Sequence, residues 1–109
     1  MQKIKLLGKE VNIAFNLATE IAYEQITGEA FGIEKLSFTK NAVALYMAAI
    51  IANNPDIDIT TEDIISKASG AEVKALSDAI YAEMKDWMNI PDVMNEKEEK
   101  KEEDEEKNA

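Results

Sequence analysis

Between Ala42 and Ala52 runs an apolar segment without a charged or strongly polar side chain. A helix on a protein surface carries one apolar stripe, whereas a helix that is apolar on every side is buried. The run has 11 residues, and crossing a bilayer takes about 20. We therefore predict a helix over residues 39–54 that begins at a Thr39 cap and is surrounded by the other elements of the chain.

Two short alternating segments near the N-terminus predict a β-hairpin. Their apolar positions alternate with polar ones and are Ile4, Leu6, Val11, Ile13 and Phe15. Gly8 and Lys9 lie between the segments and suit a type II′ turn, in which glycine supplies the positive φ. An isolated hairpin is marginally stable in water, so its apolar face must pack on a helix.

A helix is predicted between the cap residue Asn16 and the terminating Gly28. One of its sides is predicted to face the core, because it collects the apolar residues Leu17, Ala18, Ile21, Ala22 and Ile26. Glu20 and Glu24 lie opposite. Residues 29–38 form a connector that we expect to be pinned to the core by Phe31, Ile33, Leu36 and Phe38.

Two capping-box patterns mark the starts of two further helices. Thr60 is followed by Asp63, and Ser69 is followed by Glu72, at the spacing that satisfies two backbone N–H groups reciprocally. The first box opens a short helix over roughly residues 61–69. The second opens a long amphipathic helix that ends before Pro91 and whose apolar stripe is Val73, Leu76, Ile80, Met84 and Trp87.

These elements predict a mainly α fold with a small N-terminal β-hairpin (α+β), with about four helices packed around a central buried helix. The predicted helical domain covers residues 1–94. Residues 95–109 contain eight acids and four lysines. Such a segment has too little apolar surface to offset the entropy of ordering, so it is predicted to be a disordered acidic tail.

The composition excludes several classes of function. The chain has a net charge of −10 and contains no Cys, no His and no Arg. Nucleic acid and anionic membranes would be repelled, because both bind proteins largely through positive charge. Without His or Cys, the commonest general base, thiolate nucleophile and metal ligands are missing. We therefore expect a cytoplasmic protein that is not an enzyme and uses no cofactor.

The remaining polar clusters have structural explanations. Glu20 and Glu24 are spaced like a carboxylate pair, but both are expected to face water. Another acidic cluster resembles the start of a calcium loop, but its sixth position is Thr61 rather than Gly and its twelfth is Lys67 rather than Glu. Helix capping accounts for its residues, which are Asp56, Asp58, Glu62 and Asp63. No serine lies in the Asp-Ser-Leu sequence of a carrier protein. We predict no catalytic residue and no metal site.

The densest methionine and aromatic cluster lies where the domain meets the tail. It is the candidate partner-binding segment and comprises Met84, Trp87, Met88, Ile90, Val93 and Met94. For Met84 and Trp87 the alternative is that they pack on the central helix. A second candidate is a free edge of the hairpin, which a partner strand could extend unless the edge is covered.

The opening of the chain combines two strands and a helix with a set order of turn and cap residues. Its segments are K-I-K-L-L-G-K-E-V-N-I-A-F, then a helix, then E-Q-I-T-G-E-A-F. A leading strand, Gly-Lys-Glu, a second strand ending in Phe and a helix ending in Thr-Gly before an aromatic residue resemble the opening of phage tail assembly chaperones. The resemblance covers roughly residues 3–95, and the alanine-rich helix and charged tail extend it.

The resemblance implies a non-catalytic function. Proteins of this family bind tape-measure and tail tube proteins and keep them soluble before the tube polymerises. The resemblance also implies the short form of the chaperone, without the second domain that frameshifting adds. The alternative is an unrelated small acidic helical adaptor or inhibitor that binds a basic protein partner. The sequence leaves self-association into a homo-oligomer open.

Overall fold

The structure, a computed structural model, describes residues 1–89. The predicted partner-binding residues Ile90, Val93 and Met94, and the acidic tail, lie outside the described residues. The elements are β1 (Gln2–Leu6), β2 (Lys9–Ile13), α1 (Leu17–Thr27), a 3₁₀ segment (Ile33–Ser37), α2 (Thr39–Asn53), α3 (Thr61–Lys67) and α4 (Gly70–Trp87). The prediction of a mainly helical fold with an N-terminal antiparallel hairpin is confirmed.

Helix α2 is the centre of the fold, as its apolar sequence predicts. It packs against α1, the 3₁₀ segment, β2, α3 and α4. Its buried side chains are Ala44, Leu45, Met47, Ala48, Ala49 and Ile50. The inner face of the hairpin contributes Leu6, Val11 and Ile13 to the same core. The first turn of α2 differs from the prediction, because Phe38 is its N-cap and Thr39 is its first helical residue.

The hairpin turn is centred one residue earlier than predicted. Leu6 pairs with Lys9, so Leu7 and Gly8 are the central residues, and both have positive φ angles, 52° and 79°. The predicted type II′ turn at Gly8 and Lys9 is therefore wrong; positive φ at both central residues is typical of type I′. A left-handed leucine costs about 1–2 kcal/mol. Leu7 is held there because its side chain packs against the core and its N–H donates to Glu72 Oε2 at 2.6 Å.

Two glutamates of α4 fasten that helix along β1. Glu72, in the first turn of α4, accepts the N–H of Leu7. Glu83, three turns later, accepts Gln2 Nε2 at 3.3 Å and pairs with the N-terminal ammonium of Met1 at 3.3 Å. The start of α4 therefore lies at the turn of the hairpin and its later part lies at the beginning of β1.

Both predicted capping boxes are confirmed. In α3, Thr60 and Asp63 exchange side chain-to-backbone hydrogen bonds, and in α4, Ser69 and Glu72 do the same. Hydrogen bonds from the backbone N–H of Ser69 and then of Leu7 hold the pKa of Glu72 below its ordinary value. Glu72 is thus both a helix cap and the link between α4 and the hairpin turn.

We expect the substitution Glu72→Gln to lower the stability of the fold at pH 7, and by less as the pH falls below about 4.5. A carboxylate whose pKa is lowered by folding stabilises the folded state above its unfolded pKa, about 4.5, and this contribution is lost as the pH falls through the lower folded value. The difference in free energy of unfolding between wild type and variant should therefore shrink on acidification, measured by urea unfolding at several pH values. Glu62→Gln, which removes an exposed carboxylate from the first turn of α3, is the matched control. A difference that is independent of pH would contradict the assignment.

Helix α1 is rotated relative to the prediction. Its buried side chains are Thr19 and Tyr23, whereas Leu17, Ile21 and Ile26 are exposed. The rotation has two causes. Tyr23 packs edge-on against Phe31, with ring centroids 5.3 Å apart, and Thr19 Oγ1 donates to the backbone oxygen of Ala14 at 2.9 Å. The predicted apolar side of α1 is therefore wrong, and part of it faces solvent.

The connector is only partly pinned to the core. Phe31 and Leu36 are half-buried and pack against the core, as predicted. Ile33 and Phe38 are exposed, so for these two residues the prediction is wrong. The 3₁₀ segment, Ile33–Ser37, turns the chain between α1 and α2. Leu36 lies on its core side, and Ile33 is exposed.

Candidate protein-docking surface

The outward side of α1 presents apolar side chains in its first two turns. We call Leu17, Ala18 and Ile21 the outer face of α1. Leu17 is 62% exposed and Ile21 is 53% exposed. They are spaced four residues apart and therefore lie one above the other on the helix. Single exposed apolar residues are ordinary, but two large ones in register form a ridge of the kind that docks into a groove of another protein.

Trp87 lies at the border of this surface. It is 45% exposed, and its Nε1–H donates to Glu20 Oε2 at 3.1 Å. Glu20 is one turn from Leu17 on α1. The bond therefore brings the partly exposed indole to the first half of α1, one turn from Leu17. Tryptophan is among the residues most enriched in the energetically dominant positions of protein interfaces.

The described members of the predicted partner-binding cluster do not share one environment. Met84 is buried in the core, and Met88 is half-buried and packs against it. Trp87 is the member within residues 1–89 that offers a large exposed surface. Met84 instead lines a cleft of about 130 Å³ between α2 and α4, whose other lining residues include Leu36, Leu45, Tyr46, Ile80 and Tyr81.

Sequence periodicity predicts a core position for Leu17 and Ile21, because they are apolar and share a side of the helix. Neither residue was therefore predicted as a docking residue. The sequence feature that indicates the observed orientation is Tyr23. It lies four residues after Thr19, on the same side of the helix, and between the aromatic residues Phe15 and Phe31 in the chain. The rings of Phe15 and Phe31 lie 5.2 Å apart, so an aromatic cluster, rather than the aliphatic side of α1, faces inward.

The electrostatics of this surface are acidic. Helix α1 carries Glu20 and Glu24 and no basic residue. Asp86 lies next to Trp87 in the last turn of α4. An apolar surface with carboxylates around it favours a partner that combines apolar side chains with lysine or arginine.

The groups with shifted pKa values in residues 1–89 belong to helix caps and to the core. Among residues 1–89, no group of three or more acidic side chains is arranged to hold a metal ion. The pKa of Asp63 is lowered, chiefly by the backbone N–H of Thr60 in the capping box. Burial raises the pKa of the Tyr23 phenol. Both shifts follow from structural roles. No helix in the described part of the chain has the length and hydropathy to cross a membrane.

Comparison of the chain with protein-family models, with curated proteins and with solved structures gives no match.

Proposed function

We propose that this protein is a non-catalytic chaperone of phage or prophage tail assembly, which binds tape-measure and tail tube proteins and keeps them soluble before the tube polymerises. This family is proposed because the opening residues of the chain resemble those of its members. The observation that supports a binding function is the exposed outer face of α1, with Trp87 beside it.

A chaperone of this kind needs two properties that oppose each other. It must expose apolar surface to hold a client, and it must itself stay dispersed. The outer face of α1 supplies apolar area, worth about 25 cal/mol for each Å² that a client covers. The net charge of −10 opposes self-association, because like-charged molecules repel each other.

The carboxylates around the surface define the client's chemistry. A client helix with apolar residues at i and i+4 would lie against Leu17 and Ile21, and lysine or arginine at its margin would face Glu20 and Glu24. Such rim charges mainly raise the association rate and the selectivity, whereas the buried apolar contacts supply most of the affinity. Binding should therefore weaken only modestly as the salt concentration rises.

The proposal predicts that the same genome encodes a tape-measure protein, and co-expression of the chain with that protein tests the function. We expect the wild type to hold the client in the soluble fraction, and the double variant Leu17→Glu/Ile21→Glu to lose most of this effect, because the charges replace the apolar contacts. Both positions are exposed, so the variant should keep its far-UV circular dichroism spectrum and its unfolding midpoint.

The matched control is Ile65→Glu, which adds a charge at a 63% exposed position on α3. It should leave client solubility unchanged. A client that is no more soluble with the wild type than without it would refute the chaperone function. A client that is solubilised equally by all the variants would instead show that α1 is not the docking surface.

A further inference from the structure

The two edges of the hairpin differ in how their backbone groups are satisfied. On the outer edge of β2, the side chain of Asn54 accepts the N–H of Asn12 at 2.9 Å and donates to its C=O at 2.7 Å. The Asn54 amide thus takes the place of a neighbouring strand. Because Asn54 follows α2 directly, the end of the central helix covers this edge.

The outer edge of β1 is open. In an antiparallel pair, residues directly opposite each other either both point their N–H and C=O groups toward the partner strand or both point them away. Asn12 points its groups away, toward Asn54, and its partner in the register is Lys3. Lys3, and Lys5 two residues on, therefore direct their backbone groups to the free edge. Within residues 1–89, no side chain or loop donates to or accepts from these groups.

The open edge is also positively charged. The side chains of Lys3 and Lys5 are exposed. The ammonium of Lys3 lies 3.8 Å from Glu10 Oε1 in a solvent-exposed pair, which contributes little to stability. Lys3, Ile4, Lys5 and Glu10 line a shallow depression of about 210 Å³. Two lysines at alternate positions on one free strand form a local basic stripe on a strongly acidic protein.

A second copy of this chain does not fit the edge. Two β1 strands that pair antiparallel about a two-fold axis would place Lys3 and Lys5 of one copy opposite lysines of the other. Like charges directly opposite each other on a sheet are destabilising. A strand that carries carboxylates at alternate positions would instead place each of them opposite a lysine.

We propose that the free edge of β1 accepts an extended acidic segment of a partner protein, which adds a third strand to the hairpin. Backbone hydrogen bonds to Lys3 and Lys5 supply part of the affinity, and pairing of the two ammonium groups with alternate carboxylates supplies the selectivity. This site is separate from the outer face of α1 and does not depend on the chaperone function.

Fluorescence anisotropy with labelled peptides tests the proposal on the full chain. The probe is a short blocked peptide in which glutamate alternates with valine, and its counterpart carries lysine in place of glutamate. The glutamate peptide should bind at least about tenfold more tightly than the lysine peptide. The variant Lys3→Glu/Lys5→Glu should reverse this preference, whereas Lys40→Glu/Lys74→Glu, with the same change in charge, should preserve it.

Two further measurements separate strand addition from charge attraction alone. Methylation of the peptide's backbone nitrogens at alternate positions should abolish binding, because it removes the ladder donors. The bound glutamate peptide should slow amide hydrogen exchange at Lys3 and Lys5. Equal affinities of the methylated and unmethylated glutamate peptides overturn the proposal, as do equal affinities of the glutamate and lysine peptides. So does the absence of binding, which would mean that the lysines only protect the edge against unwanted pairing.

Discussion

Replacing Asn54 with alanine is expected to lower the free energy of unfolding by about 3 kcal/mol. Asn54 is buried, and its side chain makes three hydrogen bonds, two with the backbone of Asn12 and one to the C=O of Ile50 at 2.8 Å. Alanine removes all three and leaves the groups of Asn12 unpaired beside the core. An unsatisfied buried group costs about 1–3 kcal/mol. The total stability of a domain of this size is roughly 4–13 kcal/mol, so the loss is a large part of it.

The matched control is Asn12→Ala. Asn12 takes part in these bonds only through its backbone, so the substitution should preserve them and change the stability by less than about 1 kcal/mol. Urea unfolding followed by circular dichroism measures both variants. Equal losses in the two would mean that the Asn54 side chain does not hold the hairpin to α2. Amide exchange of Asn12 should accelerate in Asn54→Ala relative to the wild type.

The features that were predictable from sequence are those for which one local pattern has one physical solution. The apolar run in α2 predicts a helix surrounded by other elements, and five elements pack against it; within the run, Ile51 is the exposed residue. The capping boxes at Thr60 and Ser69 each require a specific pair of residues three positions apart, and both form. In contrast, the turn at Leu7 has a leucine in a conformation that favours glycine or asparagine. Its cause, the bond to Glu72, comes from a residue 65 positions away.

The candidate site was less predictable than the fold, because it depends on which of two sides of α1 faces inward. The aliphatic residues Leu17 and Ile21 compete for the core with Thr19 and Tyr23. Residue hydrophobicity favours the first pair. The second pair is buried because Thr19 bonds to Ala14 and Tyr23 packs against Phe31, and neither partner is visible from the periodicity of the helix. Trp87 was identified from sequence, but the bond that places it beside α1 was not.

The largest loss of stability is expected when a buried side chain of the central helix is shortened. Leu45 lies in the middle of α2, is almost fully buried and lines the cleft toward α4. Leu45→Ala should lower the free energy of unfolding by about 2–5 kcal/mol, because it removes buried apolar contacts and enlarges the cleft. The upper end of this range is comparable with the lower bound of the total stability, about 4 kcal/mol.

Ile51→Ala on the same helix is the control, since Ile51 is 44% exposed. It should cost less than about 1.5 kcal/mol, because less apolar area leaves contact and alanine has the higher helix propensity. Thermal and urea unfolding of the two variants compare the two sides of α2 directly. If Ile51→Ala cost as much as Leu45→Ala, α2 would be covered on the side where Ile51 meets solvent. Either a partner or a second copy of the chain would then cover Ile51. The concentration dependence of unfolding would distinguish the two, because only self-association makes the unfolding midpoint rise with the concentration of this protein.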